Sequence, residues 1–91
     1  MKRYIIEREM PGIGLAQREQ FREAAQKSNE ALAQLAPDVQ WVESYVTDDK
    51  VYCVYLAKDE SLVRKHADMS GFPADKITEV KRIMDPTVAA A

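Results

Sequence analysis

The alternation of apolar and polar side chains in residues 40–56 limits the possible folds more than any other feature of this chain. Two runs with a period of two, QWVESYV and VYCVYL, flank the polar turn at residues 47–50. A period of two is the repeat of a β-strand, and two such runs joined by a tight turn form a hairpin. The chain is therefore expected to contain an antiparallel sheet.

The segments around this hairpin predict the order β-α-β-β-α-β. Residues 3–8 and 76–84 alternate in the same way and predict the first and the last strand. Residues 15–36 predict a long helix, because apolar side chains recur there at spacings of three and four. Asp59 is placed to cap a second helix that ends before Gly71.

This order is that of the ferredoxin-like fold, so the predicted class is α+β, with a four-stranded antiparallel sheet and two helices on one face. A chain of 91 residues predicts a single domain. We place it at residues 1–86 and expect residues 87–91 to form a frayed tail. Because the strands carry apolar side chains on both faces, the face without helices, here called the open face, is expected to meet a ligand or a second subunit. A dimeric α+β barrel is the expected assembly.

Charge and hydropathy argue against several classes of function. The net charge is −2 and no basic block occurs, which argues against nucleic acid as a partner. No apolar run approaches the roughly 18–20 residues of a membrane span, and the start of the chain lacks the apolar core of a signal peptide. Cys53 is the single cysteine, which fits a reducing compartment. A cytoplasmic protein is the expectation.

One set of alternate strand positions collects aromatic and ionisable side chains that suit a ligand site. The other set, which includes Val54 and Leu56, is mainly apolar and matches two covering helices better. The first set is therefore predicted to line the open face, either as a ligand cleft or as a dimer interface with paired polar groups. Its members are Trp41, Glu43, Tyr45, Cys53, Tyr55 and Glu79.

In the first strand, Glu7 is predicted to join this face, with Ile5 beneath it. A cluster of Glu7, Glu43 and Glu79 would raise the pKa of at least one carboxyl group, and that group could act as a general base or bind a cation. The alternative is that these carboxylates form ion pairs with neighbouring basic side chains.

His66 and Cys53 are the candidate metal ligands. The alternative for His66, on the apolar stripe of the second helix, is a core residue hydrogen-bonded to the backbone of residues 71–74. The alternative for Cys53, in mid-strand, is a small buried apolar residue. Zinc, copper and nickel favour several imidazole or thiolate ligands, so a site would need both residues and carboxylates to converge.

Three segments resemble a family of small bacterial proteins known as nickel-binding-protein-like (DUF4242). They are MKRYIIERE with its Pro-Gly loop, WVESYVTDDKVYCVYLA, and HADMSGFPADKITEVKRIMDP. The resemblance implies a ferredoxin-like fold, usually paired into a dimer, and nickel as the metal. His66 matches a family histidine, whereas residues 6–9 lack the histidines of the nickel-binding member.

Two functions are compatible with these observations. The first is a homodimeric binding protein, not an enzyme, with a small-ligand or divalent-metal site on the open face. The second is a cofactor-free enzyme of the α+β-barrel type, monooxygenase- or isomerase-like, in which a carboxylate or His66 acts as general base. An assembly module without a ligand is a third interpretation.

Overall fold

A computed structural model describes residues 1–90 and has the predicted order of elements. Its strands are β1 (Lys2–Glu9), β2 (Val39–Val46), β3 (Lys50–Ala57) and β4 (Lys76–Val80). Its α-helices are α1 (Arg18–Leu35) and α2 (Glu60–Ser70), and short 3-10 helices span Ile13–Leu15 and Pro86–Ala90. The strands form one antiparallel sheet in the order β2-β3-β1-β4, which confirms the ferredoxin-like α+β fold.

Helix α1 begins three residues later than predicted. Leu15, with 90 % of its surface exposed, belongs to the short 3-10 helix and not to α1. The backbone N–H of Gln17 donates to Gln20 Oε1 at 2.8 Å, so the helix starts after Gln17. The helix ends at Leu35, before Pro37, as predicted.

Local chemistry also sets the ends of α2. Asp59 Oδ1 accepts a hydrogen bond from the Leu62 backbone N–H at 3.1 Å, which satisfies a free donor of the first turn. Gly71 follows the helix with φ of 77°, a left-handed conformation that suits a residue without a Cβ atom. Both ends agree with the prediction.

Strand β4 is shorter than predicted. The last pair of the ladder joins Arg3 to Val80, and in this register residues beyond Lys81 lie past the start of β1 at Lys2. Ile83 and Met84 are exposed as a result. The 3-10 helix at Pro86–Ala90 is also exposed, and fraying of the tail stays a prediction, since Ala91 lies outside the described residues.

Both helices pack on one face of the sheet, here called the helix face, and the core lies between these two layers. The sheet contributes Tyr4, Ile6, Cys53, Tyr55 and Ala57, and the helices contribute Leu35 and Val63 among others. Residues of neighbouring strands that pair directly share a face, so Ile5, Val54 and Glu43 lie together on the open face. No helix within residues 1–90 is both long and apolar enough to cross a membrane.

Candidate functional site

A cleft of about 370 Å³ lies between α1 and the helix face of the sheet. It forms because α1 presents the small side chains of Ala24, Ala25 and Ser28 here, whereas Leu32 and Leu35 pack against the core further along the helix. Small-molecule pockets span roughly 300–1,000 Å³ and are mainly apolar, and this cleft fits that description. Its other lining residues are Arg8, Met10, Ile13, Phe21, Trp41, Ser44, Val46, Val51, Cys53, Tyr55 and Phe72.

The loop after β1 closes one end of the cleft and is held against the β2–β3 turn. The backbone N–H groups of Met10 and Gly14 donate to the carbonyls of Asp49 and Asp48 at 2.9 and 3.0 Å. A Cβ atom on Gly14 would lie only 2.8 Å from Asp48 Cα, so the approach requires glycine. This attachment places Met10 and Ile13 over the cleft.

A chain of hydrogen bonds connects polar groups of β2 and β3 in the cleft. Trp41 Nε1–H donates to Ser44 Oγ at 2.9 Å, and the Ser44 hydroxyl donates to Cys53 Sγ at 3.0 Å. Both residues of β2 face the cleft because of a β-bulge between Trp41 and Glu43, which shifts the alternation by one residue. The bulge therefore orients the indole and the hydroxyl together.

Arg8 is the charged side chain of the cleft, with 2 % of its surface exposed. Its Nη1–H donates to the Pro73 carbonyl at 2.5 Å, its Nε–H to Cys53 Sγ at 3.4 Å, and its Nη2–H to the Tyr55 hydroxyl at 3.4 Å. The guanidinium carbon lies 5.8 Å from the centre of the Phe72 ring. Within residues 1–90, no carboxylate forms an ion pair with Arg8.

His66 lies behind this cleft and does not line it. The side chain is fully buried, its Nε2 is 3.0 Å from Ser28 Oγ of α1, and its ring centre is 5.1 Å from that of Tyr55. Burial lowers the pKa of the His66 imidazole and raises that of the Tyr55 phenol, so both groups are neutral near pH 7. The predicted bond from His66 to the backbone of residues 71–74 is wrong, because the ring points at α1 and the sheet.

Three predicted site residues lie in this cleft and not on the open face. Trp41, Cys53 and Tyr55 point toward the helices, so the assignment of the two faces was inverted for β3. The physical reason is size and bonding: the small side chains of α1 leave room for large rings, and Arg8 gives the Tyr55 hydroxyl a buried partner. The apolar side chains of Val54 and Leu56, which suggested core positions, face outward.

The predicted carboxylate cluster does not form. Glu7 and Glu43 lie on the open face as predicted, but on strands separated by β3, which sets them about 9–10 Å apart or more. Glu79 pairs with buried Tyr4 and belongs to the other face. A hydrogen bond from Lys81 at 2.8 Å lowers the pKa of Glu79, and Glu7 lies 3.9 Å from Lys76, so ion pairing describes these two carboxylates.

The remaining predicted site residues lie either on the open face or in the buried core. Tyr45 is exposed on the open face, and its hydroxyl donates to the Glu43 carboxylate. The metal candidates His66 and Cys53 are both buried, on α2 and β3. No three His, Cys, Asp or Glu side chains come together as a metal site within residues 1–90.

Arg8, Ser28 and Ser44 are the polar cleft residues that sequence analysis did not propose. A signal for Arg8 was present, since it alternates in phase with Tyr4 and Ile6, both core residues. A charged residue at a core position of a strand is unusual and indicates a special environment. Ser44 carried no comparable signal, because its orientation depends on the bulge.

Comparison with known proteins gives one family and one fold. A family model described as nickel responsive protein SCO4226-like matches residues 4–80. This match supports the resemblance to nickel-binding-protein-like proteins, although it does not carry the DUF4242 label. The crystal structure of SCO4226 from Streptomyces coelicolor A3(2) is similar, with a TM-score of 0.76 and 18% identity over 90% of this chain and 99% of that chain. At that identity the likeness shows the fold alone. No curated protein matches the chain.

Proposed function

The chain belongs to the family of SCO4226-like nickel responsive proteins, and from that premise we propose that it is a small binding protein whose ligand occupies the cleft under α1. The observation that carries the proposal is the cleft itself, with apolar walls and a few hydrogen-bonding groups, the usual composition of a small-molecule site. None of the lining side chains within residues 1–90 is a carboxylate or an imidazole. Binding therefore fits the cleft better than catalysis by either of the predicted general bases.

The proposed ligand is an organic molecule and not nickel. The donors of this chain do not fit a nickel site, because His66 is sealed in the core with Nε2 against Ser28. Cys53 Sγ accepts hydrogen bonds from Arg8 and Ser44. Within residues 1–90, it does not belong to any group of three His, Cys, Asp or Glu side chains that could hold a metal ion. The proposed function therefore does not include a metal ion bound within a single chain.

A second copy of the chain is the proposed partner of the open face. This face exposes Ile5, Val42 and Tyr45 around the half-buried side chains of Val54 and Leu56. It also carries charges of both signs, acidic at Glu7 and Glu43 and basic at Arg3 and Lys76. A face with both signs around an apolar strip complements itself across a two-fold axis.

Ligand binding in the cleft can be tested with a neutral apolar dye, N-phenyl-1-naphthylamine. Trp41 is the single tryptophan and lines the cleft, so its fluorescence should be quenched as the dye binds. The variant Ala24→Leu places three extra carbons in the cleft and should weaken dye binding about tenfold or more, since overpacking costs about 1–3 kcal/mol.

Ala33→Leu is the matched control. It makes the same substitution on the exposed side of α1 and should leave dye affinity unchanged. The proposal is wrong if the wild-type protein shows no saturable quenching. It is also wrong if Ala24→Leu and Ala33→Leu bind the dye equally well.

A further inference from the structure

We infer that the ligand is an amphipathic carboxylate, an apolar alkyl or aryl body with one acidic group, whose carboxylate is bound by Arg8. This inference rests on the proposed function and adds the chemical class of the ligand. Its basis is a buried guanidinium that lines an apolar cleft without a carboxylate partner within residues 1–90.

The hydrogen bonds of Arg8 leave donors available. A guanidinium carries about five N–H donors. Three acceptors are present: the Pro73 carbonyl at 2.5 Å, and Cys53 Sγ and the Tyr55 hydroxyl at 3.4 Å each. The bond to the Tyr55 hydroxyl is near the limit of useful geometry, and the thiol sulfur of Cys53 is a weak acceptor. A carboxylate in the cleft could accept two N–H groups at once, which is the strongest arrangement for a guanidinium.

The buried positive charge of Arg8 favours an anionic ligand independently of its hydrogen bonds. A buried charge without an opposite charge loses much of its hydration free energy, and proteins normally pair it. The nearby Tyr55 phenol and His66 imidazole are neutral, because burial raises the pKa of Tyr55 and lowers that of His66. Arg8 therefore brings a positive charge into the cleft with no carboxylate beside it within residues 1–90, and an anion would neutralise that charge.

The walls restrict which anion is suitable. Phe21, Ala24, Ala25, Val46 and Val51 offer apolar contact to the rest of the ligand. A hydrophilic anion such as inorganic phosphate would leave these walls without apolar contact and would meet a single guanidinium. A monoanionic acid with an apolar body satisfies both the charge and the walls.

Octanoate and octan-1-ol form the matched probe pair, since they share a chain and differ in charge. Each is titrated into the wild-type protein while N-phenyl-1-naphthylamine displacement and Trp41 fluorescence are followed. Octanoate should bind about tenfold or more tightly than octan-1-ol, because bonds between charged partners are the stronger kind. In Arg8→Met, which replaces the guanidinium with an unbranched apolar side chain, the preference should disappear while octan-1-ol still binds.

The possible outcomes separate the two proposals. If octanoate and octan-1-ol bind the wild-type protein equally, the carboxylate inference is wrong and the cleft remains a binding site. If neither probe displaces the bound dye, the carboxylate inference is also wrong, whereas the proposed function fails only if the dye itself does not bind in the cleft. Where Arg8→Met does not fold, as judged by circular dichroism, Arg8→Lys replaces it. Arg8→Lys keeps the positive charge but lacks the paired N–H groups of the guanidinium. Unchanged octanoate affinity in this variant would contradict recognition by the guanidinium.

Discussion

At the scale of single residues, His66 connects the two helices to the sheet. Its ring contacts Ser28 of α1 through Nε2 and lies at 52° to the ring of Tyr55 in β3. Its Nδ1 is buried without a hydrogen-bond partner within residues 1–90. Such an imidazole is neutral in the folded protein, because a proton on it would bring an unpaired charge into the core beside Arg8.

This environment predicts a loss of stability in mild acid. The folded pKa of His66 lies below its unfolded value of about 6.5, so the unfolded chain binds the extra proton first. The free energy of unfolding should be constant above about pH 6.5 and should fall below it, by up to about 1.4 kcal/mol per pH unit. Urea unfolding at pH 7.5, 6.5 and 5.5 measures this slope.

His66→Gln removes the titrating group and is the control for this prediction. Carboxyl groups with a lowered pKa, such as Asp59 and Glu79, reduce the stability of the protein only as the pH falls through their ordinary pKa values of 3.8 and 4.5, so they contribute little between pH 7.5 and 5.5. The difference in stability between pH 7.5 and 5.5 should therefore be much smaller in the variant. A wild-type protein equally stable at both values would contradict the assigned burial.

At the scale of elements, the bulge in β2 decides which side chains reach the cleft. Without it, Trp41 and Ser44 would point to opposite faces, since they are an odd number of residues apart. With it, both contribute to the hydrogen-bonded chain that ends at Cys53. The extra residue, Val42, lies on the outside with 45 % of its surface exposed.

The start of α2 gives a prediction at the same scale. Asp59→Ala removes the side chain that accepts from the Leu62 N–H and should lower the free energy of unfolding by about 1 kcal/mol. Asp68→Ala makes the same change at an exposed position within α2 and should have little effect or slightly stabilise the protein. Thermal unfolding of both variants distinguishes them. Equal melting temperatures would show that the cap contributes nothing.

At the scale of the whole molecule, a two-layer domain with helices on one side leaves the open face uncovered. Val54 lies at its centre, on β3, paired with Ile5 on one side and Glu43 on the other. Val54→Lys should convert the proposed dimer to monomers, because two copies would bring two buried ammonium groups together. Sedimentation velocity measures the change in mass.

Ala33→Lys introduces the same charge on the exposed side of α1 and should leave the dimer intact. Circular dichroism checks that both variants keep the wild-type fold. A wild-type protein that sediments with the mass of one chain at every concentration would contradict the proposed dimer. The ligand site would be unaffected, since the cleft lies on the helix face of one chain.

Most of the architecture was predictable because it depends on local patterns. The period of two predicted the strands, the apolar spacing predicted α1, and Asp59 and Gly71 marked the ends of α2. The start of α1 is set by a local bond between Gln17 and Gln20, whereas the end of β4 depends on a distant strand. In the register of the sheet, residues beyond Lys81 lie past the start of β1, which no pattern within residues 76–84 records.

The candidate site was predictable only in part. Trp41, Cys53 and Tyr55 were recognised as unusual residues that belong together, and they do meet, but on the helix face. Their face could not be decided from apolar content, because both sets of alternate positions contain apolar side chains. The alternation of the first strand puts Arg8 in phase with Tyr4 and Ile6, yet its role depends on contacts with Pro73 and Tyr55, far along the chain.

The sequence by itself determined the order of elements and the family, since both reside in local periodicity, capping residues and matching segments. Only the tertiary structure decided which sheet face the helices cover. That choice depends on how the small side chains of α1 fit the rings of β2 and β3, and on a buried guanidinium that needs partners from two distant segments, β3 and the loop before β4. Packing and charge burial depend on how the helices and the sheet fit together, so local sequence patterns could not locate the site.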